Sequence, residues 1–151
     1  MAYRGGFEPT NSAYTHCFSV LPGDIDELGH ANNVVWVRWV NEAAIAHATA
    51  VGFDAAGLGR LSVLWVVRRH DIEYLLPALV GERLEAVTWA ASLSGATSHR
   101  RTVFKRDGRV CARAETIWAL LDATTGRPRR IPPELLVAYG FGAAARSEPS
   151  E

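Results

Sequence analysis

Between Gly23 and Asn33 the chain gathers Asp24, Asp26, His30, Asn32 and Asn33 around Gly29, then runs straight into the apolar segment "VVWVRWV". A carboxylate near a carbonyl can act as nucleophile or as general base for water. The start of a helix offers unpaired backbone N–H groups and a partial positive charge, which can hold an oxygen anion. Together these are the two parts needed to hydrolyse an acyl group: something to attack the carbonyl, and something to hold the charge that develops on its oxygen. Apolar walls would leave the carboxylate less hydrated and more reactive than at the surface.

Such groups work only if secondary structure holds them. Val34 to Val51 is long enough for a helix, Asn32 or Asn33 is the right type of residue to cap its first turn, and Gly52 is a natural stop. Val34, Val35, Trp36, Val37, Trp39, Val40 and Ala43 put apolar groups on nearly every face, which predicts a wrapped helix rather than a surface helix with one stripe. Before it, "AYTHCFSV" (Ala13 to Val20) alternates as a strand that Pro22 and Gly23 end.

Beyond residue 60 the pattern is that of sheet. "LSVLWVV" and "HDIEYLL" are two β-rich runs with Arg68 and Arg69 between them, and "PALVG" breaks the chain before "ERLEAVTWAASL". "SHRRTVFKR" and "VCARAETIWALLD" flank Asp107-Gly108, the two residues of a tight hairpin turn, and Pro132 or Pro133 can start a short final helix. The expected fold class is α+β, a long central helix wrapped by a curved antiparallel sheet of about five strands with the helix start near an opening. The expected boundaries are a flexible segment at 1–12, one domain at 13–142 and a disordered tail at 143–151.

Bulk properties narrow the partners. A hydrophobic content of 48% in 151 residues supports one packed core, and a formal net charge of zero gives no overall field that would draw nucleic acid or an anionic membrane. Cys17 and Cys111 lack metal-ligand spacing and read as small buried residues in a reducing compartment, and no signal-like apolar run opens the chain. The expectation is a cytoplasmic protein without a metal.

The polar loop also carries a resemblance. "DIDELGHANNVVW", followed by "RWVNEA", resembles the D-x-D-x-x-G-H-x-N-N-x-x-[YW] motif of the 4-hydroxybenzoyl-CoA thioesterase family of hotdog-fold proteins. "RRHDIEYLLPALVGERLEAVTW" is similar to that family's paired strands around a P-A-x-x-G turn, and "RDGRVCARAETIWALLD" to its last hairpin, so the likeness covers most of residues 14 to 122. It implies a hotdog fold and a thioesterase acting on acyl-CoA or an acyl-carrier-protein substrate, with coenzyme A as part of the substrate and no cofactor. It further implies Asp26 as the catalytic carboxylate, Gly29 at the turn, and the backbone N–H near Asn33 as the donor to the thioester oxygen. The family's sites lie between subunits, so a homodimer or a dimer of dimers is implied as well.

The other polar residues have plainer readings. Asp24 is expected to brace the loop, and Asn32 and Asn33 to cap the helix first of all. His30 is expected to order the loop by hydrogen bonding, with a general acid or a substrate contact as the alternatives; Trp36 could narrow a pocket or fill the core. Glu42 and His47 fit polar contacts at a subunit interface, with pocket lining as the alternative for Glu42. Arg100 and Arg101 could grip coenzyme A phosphates, although alternation along a strand turns only one of them toward any given ligand. Rival readings are a hotdog enoyl-CoA hydratase or dehydratase, whose D-x-N-P-x-H loop this chain lacks, and a non-catalytic acyl-binding subunit.

Overall fold

The alternating runs of the second half become a five-stranded antiparallel sheet in the computed structural model, which describes residues 6–142. The expected tail and the first five residues lie outside that range. The elements are β1 (Tyr14–Ser19), a short 3-10 turn at Pro22–Asp24, α1 (Asn33–Ala50), α2 (Ala55–Arg60), β2 (Val63–Tyr74), β3 (Arg83–Ser94), β4 (Thr97–Arg106), β5 (Arg109–Asp122) and α3 (Pro133–Ala138). The strand order is β1-β3-β4-β5-β2, so β1 and β2 are the two edges.

Two runs that read as separate are one strand. "LSVLWVV" and "HDIEYLL" join as β2, because the register against β5 shifts between Val67 and Arg69 and the extra residue, Arg68, is absorbed as a bulge. The Asp107-Gly108 turn is present, both residues at positive φ as a two-residue hairpin requires. The turn of helix α2 was not foreseen; Asp54 caps it by accepting the Gly57 N–H at 3.0 Å. In the N-terminal segment Phe7 lies under the Arg101 guanidinium at 4.7 Å and Gly6 O accepts a hydrogen bond from it, while residues 8–11 are exposed.

One face of α1, carrying Val35, Trp36, Trp39, Val40 and Ala43, packs with Leu84, Ala86, Phe104 and Ala112 of the sheet into the main core. A second cluster, around Leu120, Ile131, Leu135 and Tyr139, seals the other end with α3. The helix is not wrapped on all sides within this chain. A single sheet covers only one face, and Val34 and Ile45 on the other are 74% and 63% exposed. Cys111 is buried as expected, but Cys17 is exposed, because alternation along β1 turns it to the outer face of the sheet beside Glu85 while Phe18 faces the core. No described helix is long and apolar enough to cross a membrane.

Candidate active site

The polar loop is a miniature antiparallel closure. Ile25 and Ala31 bridge, the Asp26 N–H donates to His30 O at 2.8 Å, and the Gly29 N–H donates to Asp26 O at 3.1 Å. Gly29 sits at φ +82° with open space where a side chain would begin, so backbone conformation and not crowding calls for glycine there. The loop folds around Asp26 itself. Its Oδ1 accepts the N–H groups of Leu28 at 2.9 Å and His30 at 3.3 Å, and Oδ2 accepts no hydrogen bond among the described residues.

The loop delivers the chain to the helix. Asn32 is the cap, its side chain accepting the Val34 N–H at 3.0 Å. The Asn33 N–H, first in the helix, finds no acceptor among the described residues, which is the condition for offering it to a ligand. Asp24 braces the assembly from behind. At 4% exposure it accepts the Leu21 N–H at 2.9 Å and the Arg38 guanidinium at 2.7 Å, while its carbonyl takes the Asn32 N–H. The turn between β2 and β3 holds the far side: the Ala31 N–H donates to the carbonyl of buried Ala78 at 2.8 Å. These bonds give a reason for the P-A-L-V-G turn to accompany the acidic loop in sequence.

Other residues singled out by sequence fall elsewhere. The His30 ring is exposed and makes no hydrogen bond among the described residues; only the backbone of His30 orders the loop. Trp36, 3% exposed, is core beneath the loop, edge-on to Trp39, Tyr74 and Phe104. Glu42 stays on the surface, 3.5 Å from Arg38. Neither strand arginine is a surface phosphate grip. Arg101 faces away from α1 and pairs with Glu115 at 3.1 Å, whereas Arg100 points inward and donates to His47 Nδ1 and Thr88 Oγ1, each at 3.0 Å.

His47 is therefore interior rather than an interface residue, 2% exposed between the rings of Tyr14 and Tyr139. Because a guanidinium can only donate, Nδ1 accepts and the neutral ring carries its proton on Nε2. Burial first, and the Arg100 charge second, push the imidazole down from 6.5 to about 4. The unfolded chain then binds the extra proton first. Stability is expected to be fully present above pH 6.5 and to be lost as pH falls toward about 4, by on the order of 3 kcal/mol from this group. Urea midpoints measured across that range should fall in the native chain and fall less in His47→Gln; parallel curves would remove His47 as the cause.

A cavity of about 510 Å³ opens between the C-terminal half of α1, α2 and the sheet, with Ala44, Ala48, Phe53, Leu58, Val63 and Trp65 among its apolar walls. It lies toward the opposite end of α1 from Asp26. Sequence reading missed it, since its walls come from eight elements and connections; the one available signal was the alternation that turns Ser98 and Arg100 to the same face of β4.

Strand order, central helix and acidic loop together make this a hotdog protein. The chain belongs to the thioesterase-like superfamily, whose family model matches residues 20–139. It is 30% identical over 145 residues to the chloroplastic oleoyl-acyl carrier protein thioesterase 1 of Arabidopsis thaliana, covering 89% of this chain and 40% of the relative. It spans about a third of the length of the curated relatives it matches. Its fold is shared with a putative oleoyl thioesterase from Lactobacillus plantarum (TM-score 0.80, 21% identity, 84% of this chain and 50% of that one). It is shared also with a 1,4-dihydroxy-2-naphthoyl-CoA thioesterase from Synechocystis (TM-score 0.77, 15% identity, 84% and 95%).

Proposed function

We propose that this chain hydrolyses an acyl thioester, carried on coenzyme A or on an acyl carrier protein, to the free acid and thiol. The observation that carries the reading is the closure of Ile25 to Ala31, which sets the Asp26 carboxylate in the loop that leads directly into the Asn33 N–H, unpaired among the described residues. Asp26 attacks the carbonyl or takes a proton from the attacking water, and the helix start receives the charge on the thioester oxygen. Names among the relatives support both carriers, one a carrier-protein thioesterase and another a CoA thioesterase.

The test is thiol release from a panel of acyl-CoAs of graded length, benzoyl-CoA and phenylacetyl-CoA, and the matching carrier-protein esters. Release from at least one is expected, and EDTA should leave the rate unchanged, because no step calls on a metal. Turnover abolished by EDTA and restored by zinc would overturn that mechanism; inertness toward the whole panel would overturn the reaction.

The working unit proposed is a homodimer or a dimer of dimers. Val34 and Ile45 on α1, Leu64, Val67 and Tyr74 on edge strand β2, and Leu75 just beyond it are all exposed large hydrophobics in the single chain. An unpaired apolar edge beside an uncovered helix face is what association would bury. Sedimentation should give at least twice 16.5 kDa, and Val67→Lys should shift the protein toward monomer. A fully active monomer at micromolar concentration would refute the shared assembly.

A further inference from the structure

The cavity beside the C-terminal half of α1 is chemically lopsided. Its walls are apolar, but Ser98, Arg100, Trp118 and Tyr139 also line it. Arg100 is 5% exposed, and the groups it donates to, His47 Nδ1 and Thr88 Oγ1, are neutral. Its Cζ lies 5.3 Å from the Tyr139 ring. No ion pair to Arg100 forms among the described residues, whereas its neighbour Arg101 is neutralised by Glu115. A buried cation without a counter-charge is costly to keep.

A second observation points the same way. The Trp118 Nε1–H is buried without an acceptor among the described residues. Trp118 stands opposite Ser98 in the β4–β5 register, and Thr116 opposite Arg100, so the indole and the guanidinium occupy neighbouring rungs of one face. Arginine and tryptophan can only donate. Among the described residues Asp54 is the one acid on the lining, and its Oδ1 already caps α2. The acceptors near Arg100 on this lining are thus neutral hydroxyls, those of Ser98 and Tyr139, and no anion faces the guanidinium among the described residues.

We infer that the cavity binds the carboxylate of an organic acid with an apolar body, the anion meeting Arg100 and the Trp118 N–H and the body lying against the Phe53, Leu58 and Trp65 walls. The size suits a small amphipathic molecule. From Asn33 to Ala44 α1 rises roughly 17 Å, so within one protomer this is not the Asp26 loop's immediate surroundings, and binding here does not depend on the reaction proposed for that loop. The carboxylate has two sources, a free acid or the far end of a dicarboxylic acyl group.

Calorimetric titration of the full chain with decanoate and with decan-1-ol, near neutral pH, separates anion recognition from greasy binding. The native protein should prefer decanoate by at least about tenfold. Arg100→Gln should erase that preference while still binding decan-1-ol, Trp118→Phe should weaken decanoate several-fold, and Ala48→Trp, which fills the space, should abolish both. Should Arg100→Gln fail to fold, Trp118→Phe and Ala48→Trp still decide the matter. Equal affinity for acid and alcohol in the native protein, or decanoate binding untouched by Ala48→Trp, would overturn the inference.

Hydrolysis of decanedioyl-CoA against decanoyl-CoA then identifies the source. A kcat/KM preference for the diacid ester that Arg100→Gln removes assigns the carboxylate to an acyl end; equal turnover, with the calorimetric preference kept, assigns it to a free acid. A protein inert toward both esters that still prefers decanoate would count against the thioesterase reading and leave the cavity's assignment standing.

Discussion

Asp26→Asn is expected to lower kcat by roughly a hundred- to ten-thousand-fold, the range for replacing an acid/base carboxylate by its neutral isostere. The loop should survive the change. Both backbone donors that Asp26 satisfies, Leu28 N–H and His30 N–H, meet Oδ1, and the amide oxygen of asparagine can accept them in the same way. What asparagine cannot do is attack a carbonyl or take a proton from water. Asp24→Asn should cost far less turnover, because Asp24 spends both oxygens on structure, one on Leu21 N–H and one on Arg38. Rates at saturating substrate, read beside melting temperatures, separate the roles. Lost turnover at unchanged melting supports chemistry at Asp26; near-normal turnover in Asp26→Asn with a dead Asp24→Asn would reverse the assignment.

Trp36→Ala should be the most destabilising single change among the residues that the sequence marked for the site. Its indole is packed edge-on against Trp39 at 4.9 Å and Phe104 at 5.2 Å. Truncating a buried tryptophan costs about 3–5 kcal/mol, a fall in Tm of roughly 10 °C or more for a chain of this size. The milder Trp36→Phe discriminates between core and contact. If the ring only supports the loop from beneath, KM for the best thioester should hold while Tm drops modestly. A raised KM at unchanged Tm would put Trp36 against substrate instead.

The parts legible in sequence were those set by local chemistry. Asn32 as cap, Gly29 at a positive φ, the Asp107-Gly108 hairpin and the strand runs each depend on a few adjacent residues. What was hidden depends on partners far along the chain. Nothing in "VVRRHD" says that Arg68 bulges and lets β2 continue; the register against β5 decides it. Alternation separates Arg100 from Arg101, but which of them meets a carboxylate depends on Glu115 lying opposite Arg101. α1 read as wrapped because composition records how apolar each face is and not how many surfaces one chain can supply.

The bond from Ala31 to the Ala78 carbonyl has a consequence for anyone who would rebuild this molecule. The turn that holds the acidic loop is itself pinned: Arg106 donates to Pro77 O and to Glu82, and Glu82 accepts the Leu79 N–H. Its length and shape are therefore matched to the loop across from it. The connection at Thr124 and Thr125 is exposed, and among the described residues the hydrogen bonds of these two stay inside the turn, to Asp122 on one side and from the Arg127 N–H on the other. A grafted epitope or a fused domain belongs there, where the added chain is absorbed by solvent. Spliced at Val80, the same graft would be transmitted through one carbonyl to the start of α1.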